Sequence, residues 1–255
     1  MRQHISFSEL KIWNECAFKH KLVYIDGVKE FKGSEHTAFG TAMHYVCENI
    51  FDQSNDFSTM FQQKFLEELT LLKQDNVPLK KPLIESMRQQ GENIISFILP
   101  AVKKTFSSFE VVSVEEELYI PLDDGRNFKG FIDLVLKVGD TYHVIDWKTC
   151  SWGWDARRKA DRMTTYQLTL YKHFFAKKHN IDPDNIETHF ALLKRTAKSN
   201  NVEIFNVSSG AKKTENAVKL LEKALYNIKN SVYVKNRLSC TSGYGCEFYK
   251  TKYCM

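Results

Sequence analysis

Two aspartates and a lysine occupy positions where a buried strand would carry aliphatic side chains. The stretch GFIDLVLKVGDTYHVIDWKTCSW (130–152) has two apolar runs joined by Gly139-Asp140. Asp133 lies in the first run, Asp146 in the second, and Lys148 two residues beyond. A Gly-Asp pair between apolar runs predicts a two-residue hairpin of type II′. With that loop, Val138 pairs with Thr141 and Asp133 falls opposite Asp146. Alternation then puts Asp133, Val135, Val144, Asp146 and Lys148 on one face, with Ile132, Leu134, Leu136, Ile145 and Trp147 on the other. Both faces are largely apolar, as in central strands covered on both sides.

Two carboxylates facing each other across strands repel, and desolvation makes this worse. The arrangement persists if a cation lies between them or one of them is protonated. Hard oxygen donors suit Mg²⁺ or Mn²⁺. Lys148, on the same face near the strand end, would hold a water or a phosphate oxygen beside that ion. The competing reading places both aspartates in solvent at strand ends, with Lys148 pairing one of them. A one-residue slip in register would remove the facing pair.

The rest of the chain must position this hairpin. Ser6-Phe7-Ser8-Glu9 fits a capping box opening a helix that runs to about Val23. Residues 38–52 read as a second helix, with Met43, Val46, Cys47 and Ile50 on its apolar side. Segments 56–76 and 82–107 are helical in pattern, separated by a break from Asn76 through Pro82. The period changes to two near Phe109, giving three strands in a meander with a turn at Asp123-Asp124-Gly125. Residues 160–179 return to helix, 189–195 and 203–207 read as strands, and 211–232 as an amphipathic helix. This order predicts an α/β (α+β) core with a helical insertion rather than separate domains. One domain over 1–255 is expected, with a helical part (1–108), an αβ core (109–210) and a C-terminal helix with a cysteine-rich tail (211–255).

The composition is 43% hydrophobic and 26% charged over 255 residues, ordinary for a globular protein able to bury a core. A net charge of +5 permits a polyanionic partner without requiring one. No stretch has the length of a membrane span, and the first residues lack the apolar run of a secretory signal. The expectation is a cytoplasmic setting with no membrane partner.

These residues resemble the PD-(D/E)XK nucleases of the RecB type, which include the CRISPR-adaptation nucleases and the nuclease domains of AddB and RecB. The resemblance runs along nearly the whole chain, in the family's order. SFSELKIWNECAFKHKLVY is similar to the opening helix, FGTAMHYVCE to the Gly-x-x-x-His helix, GFID to Gly-x-Ile-Asp, VIDWKT to Asp-x-Lys, and YQLTLY to the Gln-x-x-x-Tyr helix. It implies a restriction-endonuclease-like fold, with a central mixed sheet flanked by helices, and a Mg²⁺- or Mn²⁺-dependent deoxyribonuclease. Exonuclease action on DNA ends or single strands is implied before site-specific cutting. His44, Asp133, Asp146 and the backbone carbonyl of Trp147 would hold metal, and Lys148 would position or deprotonate the attacking water. Gln167 and Tyr171 would brace the site or touch DNA near the cut. Glu48 shares the helix face of His44 and would supplement the metal site, orient His44 or lie at the surface.

Trp152 and Trp154, beside Arg157, Arg158 and Lys159, interleave aromatics with bases as single-strand binders do; the alternative is a loop packing its tryptophans on the core. Lys194 and Arg195 at a strand end are further candidate phosphate contacts. The resemblance leaves open a stand-alone enzyme or the nuclease subunit of a larger machine with a helicase or recombination partner. An RNA- or structure-specific endonuclease with the same site, or a non-catalytic DNA-binding scaffold, are the rivals.

Three of the six cysteines fall within the last 16 residues. Some family members hold a [4Fe–4S] cluster with one cysteine in the opening helix and three near the C-terminus. Cys16, Cys240, Cys246 and Cys254 match that partition, and thiolates are the ligands such a cluster needs. The spacing departs from the family's Cys-x2-Cys-x5-Cys, and Ala17 follows Cys16 where proline is usual. Zinc, or no metal, therefore stays open. Cys47 and Cys150 read as core residues.

Overall fold

The protein is described from a computed structural model covering residues 3–28, 31–52, 54–243 and 245–255. Its elements in chain order are β1 (His4–Ser6), α1 (Phe7–Glu15), α2 (Ala17–His20), α3 (Glu35–Asn49), α4 (Phe57–Gln74), α5 (Lys81–Thr105), β2 (Glu110–Pro121), β3 (Asn127–Val138), β4 (Thr141–Cys150), α6 (Ala156–Lys159), α7 (Arg162–His179), β5 (Ile186–Lys194), β6 (Val202–Asn206) and α8 (Ala211–Lys229). The chain falls into two compact units, one formed by 1–31, 118–130 and 210–255, the other by 32–117 and 131–209.

The larger unit holds the hairpin. Gly139 has φ 58 and Asp140 does not share that region, the type II′ pattern. The ladder runs from Val138↔Thr141 to Leu134↔Ile145, the expected register. β4 pairs in parallel with β5, and β5 antiparallel with β6, so the sheet is mixed. Each face has its own cover. Leu134, Leu136, Ile145, Trp147, Ala191 and Leu193 pack into one cluster with the apolar sides of α3, α4 and α5. The opposite face is met by α7, which contacts β4 and β5. At Gly91 a side chain would run into the Phe61 ring, 2.2 Å from an added Cβ, so only glycine lets α5 lie this close to α4.

Local chemistry sets the helix limits near the site. Ser34 and Thr37 cap α3 reciprocally, the Ser34 N–H donating to Thr37 Oγ1 at 2.9 Å. Asp161 caps α7 by accepting from Thr164 N–H at 2.7 Å, and Asn180 ends it in the left-handed region at φ 52.

In the smaller unit, β1 pairs in parallel with the first residues of β3. A three-residue strand gives too short a period to be read from sequence. Ser6 accepts from Glu9 N–H as expected, but the helix is not continuous to Val23. It breaks at Cys16, which is extended at φ −159, then resumes as α2 and a π turn over Lys21–Ile25. The break is held from the C-terminal region, where Asn236 donates its side-chain amide to Glu15 O at 2.9 Å and its N–H to Cys16 Sγ at 3.4 Å. The Glu9 carboxylate is drawn into the interior onto His20 Nε2 at 2.8 Å. Among the described residues, no helix is long and apolar enough to cross a membrane.

Candidate active site

The paired register of the hairpin extends as far as Leu134↔Ile145. One residue on, Asp133 does not simply face Asp146. Its Oδ2 instead accepts the backbone N–H of Trp147 at 2.6 Å, taking the place of a strand partner. Asp146 is 1% exposed. Its Oδ1 accepts from Gln167 Nε2 at 2.7 Å, and the same Gln167 nitrogen donates to Tyr171 Oη at 3.3 Å. Gln167 and Tyr171 lie four residues apart on α7, which puts both on one helix face, Gln167 linking the tyrosine to the aspartate. Lys148 forms an ion pair with Asp146 Oδ2, yet that buried oxygen accepts no hydrogen bond.

His44 arrives from α3. Its Nδ1 lies 3.6 Å from Asp133 Oδ2, and the backbone of Trp147 hydrogen-bonds its ring. His44, Asp133, Asp146, Trp147, Lys148, Gln167 and Tyr171 are thus brought into one neighbourhood. An open cavity of about 560 Å³ adjoins them, lined by Gly40, His44, Glu48, Lys64, Glu115 and Asp133 among others.

The electrostatics are those of a site short of positive charge. Burial pushes the Asp133 carboxyl well above the usual carboxylate range, and the charge of Asp146 adds to this. Burial also raises Glu48 and Glu115, the latter further raised by Glu48 and Asp146. Burial holds His44 below the ordinary imidazole value, which keeps a ring nitrogen free to act as a ligand.

Glu115 was missed in the sequence, where it stands in an undistinguished run Glu115-Glu116-Glu117. In the structure it adopts φ 51 within β2, a conformation that costs energy in a non-glycine residue, and its carboxylate faces the acid cluster. Its neighbour Glu116 points elsewhere, to Lys178 and His179. Glu48, read as a supplement to the metal site, a support for His44 or a surface residue, lines the cavity as well.

The basic and aromatic candidates separate. Trp152 is 79% exposed, whereas Trp154 is buried against Phe190 and Phe205 with Arg158 over its ring. Trp154 is therefore a packing residue. Arg157 is exposed. Lys194 is buried and paired with Glu203 at 3.1 Å, and Lys159 meets the same carboxylate, so both ammonium groups share one internal partner. Arg195 is half-buried, donating to Gln90 Oε1 at 3.0 Å and Ser151 Oγ at 3.2 Å.

The four cysteines meet in the smaller unit. Cys16, Cys240, Cys246 and Cys254 line one cavity of about 220 Å³ with Phe18, Leu22 and Phe248. Cys47 is buried in the core of the larger unit, but Cys150 is only half-buried, because it ends β4 where the strand leaves the sheet.

The sequence model of the PD-(D/E)XK nuclease superfamily matches residues 4–250. The chain belongs to this superfamily. Among solved structures, a chain from Eubacterium rectale described as a candidate exonuclease superposes with a TM-score of 0.59 at 14% identity, over 94% of this chain and 86% of that one. A second, described as SSO0001, gives a TM-score of 0.35 at 15% identity, over 94% and 93%. The first likeness concerns the fold alone. A comparison with curated proteins finds no match. Membership makes the chain a nuclease by family, with the mixed sheet and flanking helices this fold requires.

Proposed function

We propose that this nuclease is a Mg²⁺- or Mn²⁺-dependent deoxyribonuclease of the RecB type that shortens DNA from its ends or digests single strands. One observation carries the reading. Asp146 is buried with the Lys148 ammonium as the one partner of its Oδ2, beside a second, largely covered aspartate whose ionisation burial and the charge of Asp146 resist. A hard divalent cation resolves both costs, and the donor set of two carboxylates, an imidazole and a backbone carbonyl at Trp147 suits it. When bound, such an ion would acidify a water and neutralise charge on the scissile phosphate.

The chain's own residues do the rest. Gln167 holds Asp146 by its Oδ1, so that Oδ2, now paired with Lys148, is the oxygen that would meet a cation. The Trp147 N–H locks Asp133. Lys148, now satisfied by Asp146, would turn its ammonium to a phosphoryl oxygen or to the attacking water. Trp152 is the exposed aromatic on which a single-strand base would stack. A cytoplasmic setting and a helicase or recombination partner fit end processing.

In the same reading the cysteine cavity holds a [4Fe–4S] cluster. Its support is that all four cysteines line one space and that thiolates are the ligands such a cluster needs.

The test is digestion of end-labelled linear and closed circular DNA, single- and double-stranded, with each metal. Loss of linear substrate with intact circles supports exonuclease action; cutting of circles supports an endonuclease. No metal-dependent digestion of any substrate overturns the proposal.

A further inference from the structure

A second group of ligand-type side chains sits at the starts of β4 and β5, on the face opposite Asp146. His143 is the cross-strand partner of Glu187, and His189 follows two residues along β5 on the same face. His143 Nδ1 and His189 Nε2 are 3.1 Å apart, and Glu187 Oε2 lies 3.6 Å from the first and 3.5 Å from the second. Among the described residues, this is the one group of three or more His, Cys, Asp or Glu whose ligand atoms all come within 4.8 Å of each other.

Two features set it apart from an ordinary hydrogen-bonded histidine pair. The carboxylate stands too far from either ring for a sound hydrogen bond, yet all three atoms converge on one point. A tetrahedral ion with ligands at about 2.0–2.1 Å spaces them roughly 3.3–3.4 Å apart, close to the triangle seen here. The ligands are also held from behind. Phe106 packs on both imidazoles, with ring centroids 4.8 and 5.1 Å away, and Asn206 Nδ2 donates to Glu187 Oε2 at 3.3 Å. Burial keeps both histidines below the ordinary imidazole value, His189 at about 4, so their lone pairs are available.

We propose that His143, Glu187 and His189 form a zinc-class transition-metal site, distinct from the nuclease centre, with a fourth position open to solvent beside the half-exposed Glu187. Two imidazoles and one carboxylate select borderline ions over Mg²⁺. His143 stands three positions before Asp146 on β4, roughly 10 Å along the strand. An ion there ties the first turns of the parallel strands together, across the pairing that most directly supports Asp146.

The test uses the full chain, stripped with chelator, and Co²⁺ alone as the probe. The proposal expects visible d–d bands of a four-coordinate ion with nitrogen and oxygen ligands, lacking the thiolate charge-transfer band that the cysteine cavity would give. Glu187→Gln, at a half-exposed position, should keep the fold by circular dichroism and weaken Co²⁺ and Zn²⁺ binding at least about 10-fold. His189→Gln should abolish the bands, and Asp146→Asn should leave them intact. Bands that are absent from the wild type, or unchanged in both Glu187→Gln and His189→Gln, overturn the site without bearing on nuclease activity.

Discussion

The carboxylate site and the cysteine cavity are built by opposite means. The first is made on regular elements. A two-residue turn fixes the register of β3 and β4, and that register brings Asp133 and Asp146 together from 13 residues apart. The second is made on irregular chain, where a helix broken at Cys16 is held by Asn236 and three cysteines follow on loops and short turns. The carboxylates carry an electrostatic cost that an ion relieves, whereas the thiols border space. One site should therefore respond to metal in rate, the other in stability.

The largest expected effect is at the first site. Asp146→Ala or Lys148→Ala should lower metal-dependent DNA cleavage by about 10³-fold while the protein stays folded, as read by initial rates on labelled DNA and by circular dichroism. A comparable loss from Cys240→Ser would erase the contrast between the two regions. Cys240→Ser is expected instead to lose iron from protein purified without oxygen and to lower Tm by roughly 5–10 °C. Gln167→Ala should act through Asp146, raising the Mn²⁺ concentration for half-maximal rate by about 10–100-fold with a smaller change at saturating metal.

The smallest effect is on stability against pH. The folded carboxyl of Asp133 titrates above its unfolded value, so the folded state holds that proton more tightly. In chelator, stability should fall as pH rises from the unfolded carboxylate pKa, about 4, toward the raised folded value. Asp133→Asn should remove that fall, with a Tm above wild type by a few degrees at neutral pH and no difference below about pH 4. Thermal melts across pH without metal provide the check.

How far each region could be read from the chain follows from the same contrast. Gly139-Asp140 and strict alternation announce a local hairpin, so the register and both covered faces were legible. His44 and Gln167 were placed through short motifs on helices of clear period. What escaped depends on distant pairing. Asp133 bonding Trp147 in place of a ladder contact, Glu115 turned inward at φ 51, and His143 brought beside His189 all arise from how strands meet. The break at Cys16 was hidden because its cause lies at Asn236, far along the chain. Trp154 and Lys194 looked like nucleic-acid contacts by composition, but their partners Phe190 and Glu203 lie on neighbouring strands. Pattern alone does not say which of two adjacent tryptophans turns inward.

The central claim is that a divalent cation bridges the buried aspartates. A crystal soaked in Mn²⁺ and measured for anomalous scattering tests it most directly. The account predicts a peak about 2.0–2.3 Å from oxygens of both Asp133 and Asp146, with Lys148 displaced from Asp146. A fully soaked crystal with no peak there, and Lys148 still paired to Asp146, would contradict it.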